Sequence, residues 1–206
     1  MKVHHLNNSR SQRILWLLEE LGLDYEIVPY TRDTTTNLAP PELEAVHPLG
    51  KSPVFEDGDI KIAESGAIVE YIVDKYGAAL KPKSEADKVA HSEWLHYAEG
   101  SAMLPLMMNL YLMRLGEAAA PLMPRVNSET TNHLDYVAGA LGDRQFLVGD
   151  SITGADIQMS FALEVARNFG RLAAYPEMNA YLSRLQARPA YKAALAKGGP
   201  YGIGQK

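Results

Sequence analysis

The stretch SPVFEDGDIKIAESGAIVEYI, residues 52–72, predicts two short strands followed directly by a helix. Its first part has a β-hairpin pattern, two apolar runs joined by a turn at Asp57-Gly58. Its second part has the spacing of an amphipathic helix, carried by Ala67, Ile68, Tyr71 and Ile72. An acid and a hydroxyl, Glu64 and Ser65, therefore lie where a strand passes into a helix N-terminus. They can cap this helix or hold a ligand there.

The residues before this stretch predict a β-α-β unit. Residues 3–6 and 25–30 favour strands, and the apolar face of residues 14–21 indicates a helix between them. A β-α-β unit completed by a hairpin and a helix forms a four-stranded sheet covered by helices, the thioredoxin-like arrangement. We therefore expect an α/β N-terminal domain over residues 1–80.

From residue 84 onward only helical patterns occur, so we expect an all-α second domain over residues 84–206. Pro105 lies inside a long helical pattern, which predicts a kink or a break there.

Thr153 and Asp156 form a near capping box that starts a buried helix and has no role in chemistry. The glycine-rich end, residues 197–206, is expected to form no helix and to be a mobile or draping segment. Further helices are predicted over residues 123–141, 155–169, 176–186 and 190–196.

The composition excludes several classes of function. A net charge of −5 is unlike that of a nucleic-acid-binding surface, which needs clustered Lys and Arg. The chain has no cysteine, which excludes disulfides, thiolate metal sites and a protein thiol nucleophile, and its histidines show no metal-binding spacing. No run approaches the roughly 18 apolar residues of a membrane span, and the N-terminus has no signal-peptide pattern. We expect a cytoplasmic protein that binds no metal, no nucleic acid and no membrane.

Three segments in order carry a family resemblance: NNSRSQRILWLLEELGL (residues 7–23), HPLGKSPVFEDGDIKIAESGAI (47–68) and FLVGDSITGADI (146–157). Together they resemble the cytosolic glutathione transferases over essentially the whole chain. The first segment is most similar to a subgroup that runs Asn-Ser-Arg into the first helix. Ser52 and Gly66 depart from the family pattern, which often has a branched apolar residue and an arginine at these positions.

The resemblance implies an enzyme that binds glutathione as co-substrate, stabilises its thiolate and adds it to small hydrophobic electrophiles in detoxification. It also implies a homodimer. Two alternatives stay open. One is a glutathione-dependent reductase of disulfides or peroxides that works without protein cysteines, and the other is a non-catalytic ligand-binding protein of the same fold.

The resemblance assigns the strand-to-helix junction to glutathione. The γ-linked glutamate of the tripeptide has a free ammonium and a free carboxylate. A helix N-terminus binds a carboxylate through its unpaired N–H groups and the positive end of its dipole. Ser65 is expected to bind this carboxylate and Glu64 the ammonium, with a plain helix cap as the alternative.

Further contacts are expected around the conserved proline of the family. By resemblance the Ser52-Pro53 bond is cis, and the backbone of Ser52 pairs with the cysteinyl backbone of glutathione as an added strand would. Lys51 is placed to reach the glycine carboxylate, the alternative being a solvated charge. His47 is a weaker candidate for the same neighbourhood.

Family members lower the thiol pKa of bound glutathione with a Tyr, Ser or Cys near the first strand–helix junction. This chain offers Asn8, Ser9, Arg10 and Ser11 there, and Ser9 is the predicted catalytic residue. The other three are predicted glutathione contacts. Ser9 and Gln12 also fit a capping box, so Ser9 can start the helix as well.

The second domain is expected to supply the pocket for the electrophile. Met103, Met107 and Tyr111 are spaced four apart in a helical pattern, so they share one face. Flexible methionines suit a promiscuous apolar pocket. The alternative for each of these residues is ordinary helix core.

Overall fold

The computed structural model describes residues 1–203, which form two compact units. Among these residues the units are Met1–Lys81 together with residues 184–203, and Pro82–Ser183. The sequence-based division into residues 1–80 and 84–206 differs at the C-terminal end. There, a helix over residues 189–198 packs against the first helix of the first unit.

The first unit contains a four-stranded mixed sheet. Its strands are β1 (Lys2–Leu6), β2 (Glu26–Tyr30), β3 (Val54–Asp57) and β4 (Ile60–Ala63), in the order β2-β1-β3-β4. β1 is parallel to β2 and antiparallel to β3, and β3 is antiparallel to β4. The helices that follow the strands are α1 (Ser11–Glu20), α2 (Glu42–Val46) and α3 (Ser65–Tyr76). The predicted α/β, thioredoxin-like arrangement is confirmed.

The hairpin turn lies one residue later than the sequence indicated. The strand ladder pairs Asp57 with Ile60, so the turn residues are Gly58 and Asp59. Gly58 has a φ of +61°, a region that residues with a side chain seldom adopt. The predicted turn at Asp57-Gly58 is therefore wrong by one position. Asp57 is still paired in the strand ladder, and Gly58 adopts the left-handed conformation as the first turn residue.

The second unit is all-helical, as predicted. Its helices are α4 (Glu85–Tyr97), α5 (Met103–Leu112), α6 (Met123–Leu141) and α7 (Gly154–Asn168), and α8 (Pro176–Ala187) begins in this unit and ends in the first. Within residues 1–203 we find no helix whose length and hydrophobicity would let it span a bilayer.

The predicted break in the long helical pattern is present. A π-helical segment, Ala98–Ala102, separates α4 from α5, and a 3₁₀ segment, Met113–Ala119, follows α5. Pro105 has no N–H to donate to the carbonyl four residues before it, so regular α-helical bonding cannot continue through this point. The irregular turn consequently lies just before the proline rather than at it.

The capping box at the start of α7 is confirmed. The backbone N–H of Thr153 donates to Oδ2 of Asp156 at 2.8 Å, and the Thr153 hydroxyl donates to the same atom at 3.1 Å. Asp156 is fully buried, and its Oδ1 accepts from the N–H of Leu147 and from the hydroxyl of Tyr181. The box therefore ties the preceding loop and α8 to the first turn of α7.

The chain returns to the first unit through α9 (Pro189–Gly198). Arg188, at its start, donates to both carboxylate oxygens of Glu20 on α1. The ring of Trp16 meets the ring of Tyr191 edge to face, with centroids 5.4 Å apart. These contacts fix α9 along α1.

The glycine-rich end is more ordered than predicted. α9 includes Lys197 and Gly198, so the expectation of no helix from residue 197 is wrong for these two residues. Packing on α1 outweighs the low helix propensity of glycine. Tyr201 is 2% exposed, which agrees with a draping segment, and residues 204–206 of this prediction lie outside the described residues.

Candidate active site

One end of the sheet brings together the first two of the segments that carry the family resemblance. β1 ends here at Leu6, β4 ends at Ala63 and β3 begins at Val54. The antiparallel register fixes this meeting, because His4 pairs with Val54 and Val54 pairs with Ala63. α3 begins two residues after the end of β4, and α1 follows the loop after β1. Two helix N-termini, with unpaired N–H groups and positive dipole ends, thus belong to this end of the sheet.

The junction between β4 and α3 presents an exposed acid beside a buried hydroxyl. Glu64 is exposed and has a φ of +68°, and Ser65 is 3% exposed and begins α3. For a residue with a side chain, a backbone conformation in this region of φ costs roughly 1–3 kcal/mol and persists only where the surrounding structure holds it. Glu64 occupies the N-cap position of α3, next to the unpaired N–H groups of the helix N-terminus to which an anionic ligand group would bind.

Arg13 of α1 organises this junction. Its guanidinium is buried, at 2% exposure, and Nη2 donates to Oγ of Ser65 at 2.6 Å. A guanidinium has donors and no acceptor, so Oγ of Ser65 accepts this bond and keeps its own proton for another partner. Sequence reasoning missed Arg13, because an arginine beside a run of apolar residues on a helix is usually a solvated position. Its burial in the first turn of α1 is visible only in the fold.

Ser52 joins the start of β3 to the end of β1. Its hydroxyl donates to the carbonyl of His4 at 2.8 Å and accepts from the N–H of Leu6 at 3.1 Å. The Ser52-Pro53 peptide bond is cis, as the resemblance implied, and Pro53 is buried. Where many family members have a branched apolar residue, this chain thus has a hydroxyl that bridges two strands.

Ser9 precedes α1 and lies close to Ser52. Its Oγ is 2.7 Å from Oγ of Ser11 and 3.5 Å from Oγ of Ser52, and it accepts from the N–H of Ser11 at 3.2 Å. The capping box with Gln12 does not form, because the Gln12 N–H donates to the Ser9 carbonyl and the Gln12 amide group has no hydrogen-bond partner among the described residues. α1 begins at Ser11, one position later than that box requires.

The loop before Ser9 is held by a residue that sequence reasoning also missed. Arg32 donates through Nε to the carbonyl of Asn7 at 3.1 Å and through Nη2 to the carbonyl of Asn8 at 3.0 Å. Asn8 has a φ of +51°, and its Oδ1 accepts from the N–H of Gly202 at 2.7 Å. The loop that carries Ser9 is therefore fixed from two directions, and no local pattern signals either contact.

Comparison with known proteins decides the family. The model of "Glutathione S-transferase, N-terminal domain" matches residues 1–74, and the model of "Glutathione S-transferase, C-terminal domain" matches residues 98–189. The chain belongs to the glutathione S-transferase family. Glutathione S-transferase 1 of Saccharomyces cerevisiae is 36% identical to this transferase over 222 residues, which cover 96% of this chain and 94% of the yeast protein.

Solved structures agree with this assignment. A glutathione S-transferase from Actinobacillus pleuropneumoniae has a TM-score of 0.88 and 34% identity, covering 100% of this chain and 96% of that one. A sphingomonad glutathione S-transferase, solved with glutathione, has a TM-score of 0.78 and 26% identity, covering 97% and 99% of the two chains. The predicted fold and the predicted class of enzyme are confirmed, with glutathione as co-substrate. The subgroup defined by Asn-Ser-Arg stays a prediction.

Three further predicted glutathione contacts of this transferase lie on accessible segments. Lys51 is exposed, immediately before Ser52, and His47 is half-buried at the end of α2. Arg10 is half-buried and occupies the N-cap position of α1. Ser11 differs from these residues, because it is 0% exposed and its hydroxyl lies behind Ser9.

The predicted electrophile residues have different environments within the second unit. Met103 is 2% exposed and belongs to the core of that unit, as the alternative of ordinary helix core expected. Met107 is half-buried, and Tyr111 is 58% exposed. The spacing of four therefore places them along α5 without giving them the same burial.

Proposed function

We propose that this transferase binds glutathione across the end of the sheet formed by β1, β3 and β4. The observation that carries the proposal is the bond from Arg13 to Ser65. It leaves the Ser65 proton free at a helix N-terminus, beside the exposed carboxylate of Glu64. This combination offers donors to a carboxylate and an acceptor to an ammonium.

The glutamyl end of glutathione has the complementary groups. Its carboxylate receives hydrogen bonds from the Ser65 hydroxyl and from the first N–H groups of α3, with the positive charge of Arg13 behind them. Its ammonium pairs with Glu64. The strained backbone of Glu64 is consistent with this role, since it holds the carboxylate at the helix end.

The middle of the tripeptide lies along the start of β3. The backbone of Ser52 precedes the first paired residue of that strand, Val54, so it is placed to pair with the cysteinyl backbone as an added strand would. Lys51 is exposed and reaches the glycine carboxylate, with His47 as a second candidate in the same neighbourhood. In this arrangement Pro53 shapes the strand and contacts the tripeptide, and Asn8 and Arg10 flank the thiol.

The thiol of glutathione lies at Ser9 in this proposal. Lowering a thiol pKa by about two units from its usual value near 8.5 requires roughly 2.7 kcal/mol of preference for the thiolate. A hydrogen bond from a hydroxyl to a charged partner supplies about 1.5–3 kcal/mol. Ser9 retains some exposure, whereas Ser11 has none, so Ser9 is the hydroxyl that touches the sulfur.

The test compares Ser9→Ala with Ser9→Thr. We expect Ser9→Ala to raise the thiol pKa of bound glutathione and to lower the rate at neutral pH by about ten- to a hundredfold, with partial recovery at higher pH. Ser9→Thr keeps the hydroxyl and should retain more activity. An unchanged rate and pH profile in Ser9→Ala would remove Ser9 from the mechanism.

The second substrate is proposed to be a small hydrophobic electrophile, and the role in detoxification follows from this substrate class. Met107 and Tyr111 have exposed surface on α5 and are proposed to contact it, whereas Met103 supports them from the core. Turnover of an aryl halide, compared with a small mixed disulfide, separates conjugation from the reductase alternative. We expect turnover of the halide.

We also propose that the protein is a cytoplasmic homodimer. This proposal rests on the family and on a chain without cysteine, which suits a reducing compartment. Cell fractionation tests the location. The mass in solution at micromolar concentration tests the assembly, and a monomer would refute it.

A further inference from the structure

A line of hydrogen bonds runs from Ser9 into the interior of the first unit. Oγ of Ser9 lies 2.7 Å from Oγ of Ser11, which lies 2.8 Å from Nδ1 of His5. Nε2 of His5 lies 3.0 Å from the carbonyl of Gly198, in the last turn of α9. His5 is 3% exposed and Ser11 is 0% exposed, so the line leads from the proposed thiol position to a buried imidazole.

The chemistry of the partners fixes the direction of these bonds. A carbonyl only accepts, so Nε2 of His5 carries a proton and donates to Gly198. In the neutral ring Nδ1 then has a lone pair and accepts from the hydroxyl of Ser11. Because the proton of Ser11 is taken by His5, the oxygen of Ser11 is free to accept the proton of Ser9. The Leu6 carbonyl, 3.3 Å from Oγ of Ser11, and Oγ of Ser52, 3.5 Å from Oγ of Ser9, are more distant acceptors than the groups of the line. At the shortest contacts, every proton in the resting line therefore points from Ser9 toward His5.

A glutathione thiolate bound next to Ser9 reverses the direction of these hydrogen bonds. The proton of Ser9 must then point at the sulfur, which leaves the oxygens of Ser9 and Ser11 facing each other at 2.7 Å unless Ser11 donates to Ser9. If Ser11 turns in this way, Nδ1 of neutral His5 loses its donor in a buried site, which is costly. Ser9, Ser11 and His5 all have hydrogen-bond partners only when Nδ1 of His5 has itself acquired a proton and donates to Ser11.

We propose that His5 accepts the thiol proton of glutathione through the hydroxyls of Ser9 and Ser11. The inference rests on the proposed role of Ser9. The S–H bond breaks as an O–H bond forms at Ser9, Ser9 passes its own proton to Ser11, and Ser11 passes its proton to Nδ1 of His5. The products are a thiolate and an imidazolium, with no electron transferred. When the conjugate leaves and water enters, the proton returns along the same line and is released to that water.

The surroundings of His5 suit a group that is neutral at rest. Burial lowers the pKa of His5, although the bond to the Gly198 carbonyl opposes this effect. The groups that face it from α1 and α9, the Ser11 hydroxyl and the Gly198 carbonyl, are uncharged, as is the Gln12 amide beside Gly198. A thiolate at Ser9 would be a nearby negative charge, which favours the imidazolium.

The first test uses the unmodified protein. Nitrogen NMR of the histidine rings is recorded without ligand, with glutathione and with S-methylglutathione, which has no thiol proton. We expect both ring nitrogens of His5 to be protonated only with glutathione. Thiolate absorbance and proton release are measured in the same titration in weak buffer, and we expect clearly less than one proton released per thiolate. A neutral His5 with one proton released per thiolate would overturn the proposal.

The second test separates proton transfer from support of the structure. His5→Asn keeps an acceptor oxygen near the position of Nδ1 but cannot be protonated, and His5→Gln keeps a donor toward Gly198. We expect His5→Asn to release one proton per thiolate, to raise the bound thiol pKa and to lower kcat at neutral pH by about tenfold for each unit of that rise, with KM for glutathione unchanged. Ser11→Ala should behave in the same way. Parent-like thiol pKa and proton release in folded His5→Asn would leave His5 a structural residue.

The outcome for Ser9→Ala keeps the two proposals apart. If Ser9→Ala leaves the bound thiol pKa unchanged, the proposed function of Ser9 fails and the relay fails with it. If Ser9→Ala raises the thiol pKa while His5→Asn and Ser11→Ala do not, Ser9 keeps its role and only the relay to His5 is wrong.

Discussion

Two serines at the end of the sheet show how the partner of a hydroxyl decides what the hydroxyl can do. Ser52 gives its proton to the carbonyl of His4, so its side chain holds two strands together. Ser65 accepts from the guanidinium of Arg13, so its proton stays available for a ligand. The same residue type is thus structural at one position and suited to binding at the other.

Glu64→Ala and Ser65→Ala are each expected to weaken glutathione binding by about 1.5–3 kcal/mol, because each removes a charge-assisted contact. The effect should be measured as a raised KM for glutathione. Glu70→Ala is the matched control, since Glu70 is an exposed carboxylate farther along α3. A parent-like KM in either test variant would contradict the assignment of the glutamyl end.

At the scale of elements, two local devices hold the helices in place. The capping box of Thr153 and Asp156 starts α7, and the absence of a side chain at Gly198 lets α9 approach α1 closely. A Cβ at Gly198 would lie 2.7 Å from Oε1 of Gln12 and 2.9 Å from Cδ1 of Leu15. Both devices act where one element meets another.

Thr153→Ala is expected to lower the free energy of unfolding by about 1–2 kcal/mol, because it removes one side of the box and a bond to the buried Asp156. Thermal or urea unfolding measures the change. Thr131→Ala, at an exposed position of α6, is the control and should change stability by less than about 0.5 kcal/mol. Equal changes in the free energy of unfolding for the two substitutions would show that the capping box does not contribute to stability.

Gly198→Ala is expected to destabilise the protein by about 1–3 kcal/mol, because the added methyl group overfills the contact between α9 and α1. Gly139→Ala is the control, since a Cβ at this exposed position of α6 meets nothing within 4 Å. The control should raise stability by about 0.5–1 kcal/mol through helix propensity. Unfolding curves of the two variants should therefore move in opposite directions, and a shift of Gly198→Ala toward higher stability would count against this packing.

For the whole molecule, carboxyl groups of the first unit link stability to pH. Hydrogen bonds from Lys75 and then Tyr76 lower the pKa of Asp57 to about 2. A bond from Lys61 lowers the pKa of Glu56. A carboxyl whose pKa is lower in the folded state stabilises the protein above its unfolded pKa, and this contribution is lost as the pH falls through the folded pKa. The protein should therefore lose stability in acid.

Asp57→Asn is expected to unfold at a lower temperature than the parent at pH 7, because it removes the charged partner of Lys75. The difference should close as the pH falls from about 4, the unfolded value for Asp, toward the folded pKa of about 2. Melting temperatures across this range measure it. Asp59→Asn, in the adjacent exposed turn, is the control. A difference that persists unchanged at the acid end would mean that the charge of Asp57 is not its cause.

Periodicity and turn chemistry alone determined most of the architecture. Alternation, helical spacing and glycine positions predicted the β-α-β unit, the hairpin, the change to an all-helical region and the irregular turn near Pro105. These features depend on neighbours a few positions apart, so a single sequence records them. The junction of Glu64 and Ser65 was visible for the same reason, because a strand end and a helix start meet there within two residues.

The tertiary structure alone decided which groups the residues of the candidate site contact. Arg13 and Ser65 are 52 positions apart, and His5 and Gly198 are 193 positions apart. Whether a hydroxyl donates or accepts depends on such distant partners, and local periodicity carries no information about them. Chain packing therefore gave Ser65 the guanidinium of Arg13 as a donor, ruled out the capping box of Ser9 with Gln12, and connected Ser9 to a buried histidine.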